Sequence, residues 1–177
     1  MQRCVNALRQ WTGKAKATVV YDSTFDEFMV EGLFDKVKGK PNIAIIATTM
    51  GGDVFGGFYS VAATKQDEYF FDPTIFVFSF ESHGRCQTPK RFPVKEGYKT
   101  SAYVKFWKDN HAGFVSFGAG STGWFWLGNE RSNSFCYYMS LAFQGLEDTT
   151  LTGRDSINRR NINPFHNYAR LVAVLLE

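Results

Sequence analysis

Residues 42–58 constrain the fold of this chain more than any other stretch. They contain two β-rich runs separated by Gly51 and Gly52. Paired glycines between apolar strands predict a tight hairpin, because the central residues of such turns need φ > 0. We therefore predict a central antiparallel hairpin.

The two strands of this hairpin differ in character. Residues 43–48 are apolar on both faces of the first strand, as expected for an interior strand between two layers. Gly56 and Gly57 lie inside the second strand, where missing side chains predict a bulge or the close approach of another backbone.

Hydrophobic periodicity and turn residues predict the remaining elements. Helices are predicted over residues 2–11 and 24–37, and strands over residues 18–21, 75–80, 103–107, 114–117, 124–127, 135–143 and 170–176. Residues 60–72 and 146–168 are predicted to be loops, the second of them exposed. Pro89 and Pro93 restrict the intervening segment to an edge or a short strand.

Composition narrows the class of protein. The chain has 177 residues, 44% of them apolar and 17% aromatic, which fits one folded domain and excludes disorder. The formal charge of +3 permits a nucleic-acid partner but does not imply one. Three widely spaced cysteines suit a reducing compartment, and no run approaches the ~20 apolar residues of a membrane span. We expect a cytoplasmic protein, with the nucleus as a second location, and no membrane insertion; the oligomeric state is left open.

The order of these pieces resembles the TLDc domain family of eukaryotic proteins. In that family a strand leads into a helix, and a hairpin follows whose second strand carries a Val-Phe-Gly pattern. The segments that carry the resemblance are Asp53-Val54-Phe55-Gly56-Gly57-Phe58, Phe76-Val77-Phe78-Ser79-Phe80, Val115-Ser116-Phe117-Gly118-Ala119-Gly120, Trp124-Phe125-Trp126-Leu127 and the closing residues 171–177. We identify the chain as a divergent member and expect a protist lineage.

The resemblance has consequences for fold and function. It implies an α+β, predominantly β fold: two antiparallel sheets packed as a β-sandwich with a few helices at the margins. It implies one TLDc-like domain over residues 1–177, with residues 1–12 as the end of an upstream helix. It also implies a non-catalytic regulatory role, linked in the family to the oxidative-stress response and to binding of the vacuolar-type proton pump.

A glycine-rich segment offers an alternative site. Gly118, Gly120 and Gly123 satisfy the G-x-G-x-x-G pattern of dinucleotide-binding proteins. That motif requires a helix to begin at the glycines, so that backbone N–H groups face the pyrophosphate. The segment here precedes Trp124-Phe125-Trp126, which favours a strand and hence a hairpin. NAD is therefore only a weak alternative, and we predict no cofactor.

Two further patterns have catalytic or metal-binding readings. His83 and Cys86 have a spacing found in zinc sites, but no second pair accompanies them, so a turn containing both is favoured and no metal is predicted. Cys136 could be a nucleophile only with a base nearby in space. Its aromatic neighbours indicate a buried, inert thiol. No catalytic residue is predicted.

Arg154, Arg159 and Arg160 form the most plausible partner-contact surface, because guanidinium groups suit carboxylate and phosphate partners. A solvated loop is the structural alternative. Two functions follow. The first is a protein-interaction domain that docks through loops at one end of the sandwich. The second is a DNA-binding regulator that responds to nicotinamide or adenine nucleotides, with weak amide-hydrolase activity.

Overall fold

The computed structural model describes residues 2–108, 113–121, 123–128, 134–153 and 168–177, and these form two antiparallel sheets. Elements are numbered in chain order. The first sheet contains, from edge to edge, β1 (Ala17–Asp22), β11 (Tyr168–Leu176), β2 (Ile43–Thr49), β3 (Val54–Tyr59), β5 (Phe76–Glu81) and β6 (Lys90–Pro93). The second contains β10 (Phe135–Tyr137), β9 (Gly123–Gly128), β8 (Gly113–Ala119), β7 (Ala102–Phe106) and β4 (Phe70–Phe71).

The helices are short and lie outside the two sheets. They are α1 (Gln2–Thr12), α2 (Val30–Val37), α3 (Met139–Ala142) and a 3-10 helix (Glu96–Ser101). The predicted β-sandwich with marginal helices is confirmed. Among the described residues, no helix is both long and apolar enough to cross a bilayer.

Aromatic side chains fill the space between the sheets. Phe55 of the first sheet and Phe125 of the second are both fully buried, and their ring centroids lie 5.8 Å apart in an edge-to-face arrangement. Phe117 stacks on Phe125 at 5.1 Å and also contacts Tyr59 at 6.2 Å. Edge-to-face and stacked pairs stabilise a core beyond the area that they bury.

The central hairpin is confirmed, with β2 and β3 in the middle of the first sheet. Ile43 and Ile45 belong to the core between the sheets, whereas Ala44 and Ile46 pack in a second cluster on the opposite face. The prediction of an interior strand with two apolar faces is therefore confirmed. The turn uses Gly52 at φ = +89°, whereas Gly51 has no positive φ, so the prediction for the glycine pair holds for one of the two.

Helix α1 covers the outer face of the first sheet. Leu8 is fully buried in the second cluster, and the ring of Trp11 stacks on Phe80 at 5.7 Å with an interplanar angle of 9°. The Trp11 ring also meets Phe76 edge-on at 6.1 Å. Arg91 donates to the Trp11 carbonyl oxygen at 2.6 Å, which joins the end of the helix to the edge strand β6.

The predicted helix over residues 24–37 is too long, because α2 begins only at Val30. Asp22 terminates β1 with a local turn instead: its carboxylate accepts a hydrogen bond from the Thr24 N–H at 3.0 Å, and its backbone N–H donates to Asp26 at 2.8 Å. Aspartate competes with helix formation through such local bonds. Phe25, which falls within the predicted helix, lies outside α2 and is 85% exposed.

Three other predictions needed correction. Residues 60–72 are not all loop, because β4 forms at Phe70–Phe71 by pairing with β7. The predicted strand over residues 135–143 ends early: Tyr138 adopts a left-handed conformation at φ = 41°, and α3 follows it. Extended backbone cannot continue through such a residue.

The predicted exposed loop over residues 146–168 is also wrong in its described part. Leu146 and Leu151 belong to the core between the sheets, and Thr150 and Thr152 are buried. The apolar leucines draw this turn inward, while hydrogen bonds such as Gly153 N–H to the Thr149 carbonyl satisfy its backbone. Residues 154–167 lie outside the described residues.

Candidate functional surface at one end of the sandwich

Antiparallel pairing brings charged residues to one end of the first sheet. Asp22 ends β1, Arg170 lies at the start of β11, and Asp53 immediately precedes β3. His83 and Arg85 follow the end of β5. We call this end of the sandwich the rim and define it by Asp22, Phe25, Met50, Asp53, His83, Arg85 and Arg170.

Asp53 is the centre of the larger polar network of the rim. Its side chain is mostly buried and accepts hydrogen bonds from His83 Nδ1, at 2.9 Å, and from the Arg85 guanidinium. Its backbone N–H donates to Thr49 Oγ1 at 3.0 Å, across the turn between β2 and β3. The carboxylate is thus fixed by two side chains from the turn that follows β5, and the backbone of the same residue is fixed by Thr49.

Arg85 links the end of β5 to the turn at residues 146–153. Its Nε donates to the Thr150 carbonyl at 3.1 Å, and Nη2 lies 3.4 Å from the Leu151 carbonyl. Arginine suits this role because its planar group presents several donors in fixed directions. The inward turn at residues 146–153 is therefore joined to the β2–β3 hairpin through one guanidinium.

His83 is held in position by its backbone. The residue has φ = 50°, and its N–H donates to Glu81 Oε1 at 2.9 Å. The side chain remains 55% exposed while its ring rests beside Gly52, whose added Cβ would lie 3.5 Å from it. Asp53 orients the imidazole through Nδ1, and the edge that carries Nε2 lies beside Gly52.

A second ion pair lies at the β1 side of the rim. Arg170 Nε donates to Asp22 Oδ1 at 2.9 Å, and Nη2 donates to the other carboxylate oxygen. The hydrogen bonds from Arg170 lower the pKa of Asp22 to about 2, and the bond from Thr24 acts in the same direction. The pKa of Arg170 is raised by the same pair.

We expect Asp22→Asn to destabilise the protein by about 2 kcal/mol at pH 7, because a pKa lowered from 3.8 to about 2 corresponds to that contribution. A depressed folded-state pKa means that the stability is present above about pH 4 and is lost as the pH falls toward 2. The difference between wild type and variant should therefore shrink over that interval. Urea unfolding at several pH values measures it.

Asp35→Asn is the matched control, since Asp35 is exposed on α2. It should change the free energy of unfolding by less than ~0.5 kcal/mol. A wild-type advantage over Asp22→Asn that persists unchanged below pH 2 would contradict the assignment of the stability to this carboxylate.

Two large apolar side chains project from the rim beside these ion pairs. Phe25 is 85% exposed and Met50 is 72% exposed. β1 leads into Phe25 and β2 leads into Met50, and only β11 lies between these two strands. β1 and β2 are therefore two strand spacings, about 10 Å, apart. The rim therefore combines exposed apolar groups with fixed charges.

The residues of the alternative sites are placed elsewhere. Gly118 lies in β8 and Gly123 begins β9, and the two strands pair as a hairpin. Gly120 has φ = +67° in the connection. The hairpin interpretation is therefore confirmed, and the helix N-terminus that would face a pyrophosphate does not follow these glycines.

The cysteines are separated from the polar network. Cys136 belongs to the core between the sheets, and burial, with a smaller effect of Asp148, raises its pKa to about 12. The predicted burial of this thiol is thus confirmed. His83 and Cys86 lie in one turn, as predicted, where the Cys86 N–H donates to Ser82 Oγ at 2.6 Å. The described residues contain no cluster of three or more histidine, cysteine or acidic side chains suited to a metal.

Arg154, Arg159 and Arg160 lie outside the described residues, so their role stays a prediction. The residues that flank their segment, Gly153 and Tyr168, both lie at the rim: Gly153 packs near Arg85, and Tyr168 pairs with Thr49. Sequence reasoning predicted docking at one end of the sandwich but did not identify the residues of the rim. The sequence signal that could have identified them is the charged residues beside strand ends, because antiparallel pairing can bring such ends to the same edge of a sheet.

Two antiparallel sheets around an aromatic core, with a polar network at one end, define a small β-sandwich domain. The family model of the TLDc domain matches residues 2–162, and the chain belongs to this family. The resemblance found in the sequence is thereby confirmed. Among curated protein sequences, none matches the chain significantly.

Proposed function

We propose that this TLDc domain is a non-catalytic, regulatory protein-interaction domain that docks on a larger protein assembly through the rim. The observation that carries the proposal is the pairing of two exposed apolar side chains, Phe25 and Met50, with ion pairs held in place by the backbone. Apolar anchors surrounded by polar groups are typical of interfaces.

Preorganisation supports this use of the rim. Arg85 and Asp53 are already ordered by carbonyl and hydroxyl partners within the domain. A partner would not have to immobilise them, and the loss of side-chain freedom on association would be smaller. Arg154, Arg159 and Arg160 are the further contacts that we propose for an acidic partner.

Family membership supplies the candidate partner. We propose the vacuolar-type proton pump as the assembly that is bound, and the oxidative-stress response as the process that is regulated. This role places the domain in the cytoplasm, with the nucleus as a second location. We propose that docking needs neither NAD nor a metal, and no catalytic residue takes part.

The test is binding to purified vacuolar-type proton pump by size-exclusion chromatography and surface plasmon resonance. The wild-type domain should bind saturably. A variant with Phe25→Ser and Met50→Ser should bind at least about tenfold more weakly, because interface anchors dominate binding energy. Both side chains are exposed, so the variant should keep the fold.

Leu141→Ser is the control, since Leu141 is 45% exposed on α3 rather than at the rim. It should bind as wild type does, and NAD should change neither result. Absence of wild-type binding would remove the pump as partner. Equal weakening by Leu141→Ser would remove the rim as the docking surface.

A further inference from the structure

The outer face of the second sheet contains a groove of about 540 Å³ that is walled mostly by aromatic side chains. Its largest lining residues are Tyr69, Phe71, Tyr103, Trp107, Trp124 and Trp126, and the others are serines and glycines. A volume of this size lies within the range of ligand sites, which is about 300–1,000 Å³. The groove belongs to the sheet that does not carry α1.

The strand register explains why the groove forms. β8 lies between β9 and β7 and presents the small residues Ser116 and Gly118 on its outer face. Gly118 pairs with Trp124 on one side and with Tyr103 on the other. Ser116 pairs with Trp126 of β9. Small residues thus form a floor between two aromatic walls.

Glycine is required at the floor. A Cβ at Gly118 would lie 2.5 Å from the Trp124 Cβ and 2.9 Å from the Tyr103 ring. Trp107 Nε1 donates to Ser116 Oγ at 3.2 Å, and the Trp107 and Trp126 rings lie 4.5 Å apart. The walls are therefore fixed by packing and by a hydrogen bond.

One buried cation lies at the side of the groove. Lys105 is 8% exposed, and its Nζ lies 3.6 Å from the centroid of Trp107 and 4.7 Å from that of Tyr69. Burial lowers the pKa of Lys105. Within the described part of the chain, the charge of Asp67 has a smaller, opposite effect on this pKa, so the ammonium has one acidic neighbour. A carboxylate brought by a ligand would complement this ammonium.

We propose that the groove binds an extended, proline-rich peptide segment that carries an acidic residue. Polyproline II segments dock in aromatic-lined grooves because their rings fill the spaces between flat side chains. Their backbone carbonyls have no internal partners, and the phenol groups of Tyr69 and Tyr103 are suitable donors for them. The acidic residue pairs with Lys105.

The lining argues against a carbohydrate. Sugar hydroxyls need many hydrogen-bonding partners, whereas the groove is lined by aromatic, serine and glycine residues, without carboxylate or amide side chains. A peptide buries mostly apolar surface and needs few polar contacts. This site lies on another face from the rim, and its occupation does not depend on the function proposed for the rim.

The test uses fluorescence anisotropy with a fluorescein-labelled polyproline peptide that has one central glutamate. Wild-type protein should bind it saturably and should bind the glutamine counterpart several-fold more weakly. Trp124→Ala should weaken binding at least about tenfold. Ser121→Trp should have a similar effect by filling the groove, since Ser121 is exposed and lines it, so the test does not depend on removing a packed ring.

Four variants identify the site and the charge. Phe25→Ala removes an exposed ring outside the groove and should leave binding unchanged, whereas Phe71→Ala removes a groove ring of 61% exposure and should weaken it. Lys105→Met should abolish the preference for the glutamate peptide. Lys105→Arg, which keeps the positive charge, should retain that preference. This charge dependence separates a contact of Lys105 from a packing role.

Several results would overturn the proposal. They are the absence of saturable binding, equal binding of a glycine-serine peptide with the same glutamate, and equal weakening by Phe25→Ala and Phe71→Ala. Binding of a soluble oligosaccharide that Ser121→Trp removes would also overturn it. Sedimentation that shows a wild-type dimer abolished by Ser121→Trp would assign the groove to a second copy of the chain instead.

Discussion

Gly56→Ala is expected to lower the free energy of unfolding by about 3 kcal/mol or more, which is a large part of the stability of a typical domain. An added Cβ would lie 1.9 Å from the Ile45 carbonyl oxygen and 2.8 Å from Phe78 Cζ. The carbonyl belongs to the neighbouring central strand β2, which cannot move without disturbing β11. Urea unfolding followed by tryptophan fluorescence measures the change.

Gly97→Ala is the matched control for this substitution. A Cβ at Gly97 has no heavy atom within 4 Å, and the residue lies in the 3-10 helix rather than in a sheet. We expect its free energy of unfolding to stay within ~0.5 kcal/mol of wild type. Similar losses in both variants would contradict the contact with β2 as the cause, because the effect of alanine on the unfolded chain alone is stabilising.

Phe117→Ala is expected to destabilise the protein by about 3–5 kcal/mol, because it removes a fully buried ring from the middle of the sandwich. The ring stacks on Phe125 and contacts Tyr59 of the opposite sheet. Residues of both sheets contact the ring, so the surrounding side chains cannot fill the whole cavity that its removal leaves. Chemical denaturation of the purified variant provides the measurement.

Two further experiments test the origin of this loss. Phe25→Ala removes an 85% exposed ring and should change stability by less than ~0.5 kcal/mol. Gly57 faces Phe117, and its added Cβ would lie 2.5 Å from Phe117 Cδ1. In a double-mutant cycle, Gly57→Ala should be less destabilising beside Phe117→Leu than alone. Additive effects would contradict the packing of this glycine against the ring.

Much of the sheet structure could be predicted from the sequence, because its signals are local. The two apolar faces of residues 43–48 and the glycine pair at the turn predict β2 and the hairpin directly. Gly56 and Gly57 were predicted to mark a bulge or a close approach. The close approach is confirmed, because the Ile45 carbonyl lies against Gly56, whereas the register shift between β3 and β5 lies at Val54 and Phe55 and not at the glycines.

The failures have two causes, one local and one tertiary. Phe25 has helical spacing with later residues, but the hydrogen bonds of Asp22 form a turn before any helix can begin. Leu146 and Leu151 lie in a polar stretch, yet the core draws both inward. Propensity and local polarity do not include such distant partners.

The rim could be predicted only in part, for the same reason. Docking through loops at one end of a sandwich was expected, but Asp53 and Arg85 are 32 residues apart and meet only because β3 and β5 pair. Arg85 also reaches the carbonyl of Thr150, 65 residues away. Single residues of common types give no sequence motif for such a network.

The place of β11 in the first sheet affects how this domain is made on the ribosome. β1 and β2 are translated early, but they join only through β11, which comes from residues 168–176. At ordinary elongation rates these two strands wait on the order of ten seconds for their shared neighbour. Their unpaired apolar edges during that delay are natural targets for chaperones, which would protect the nascent chain from aggregation.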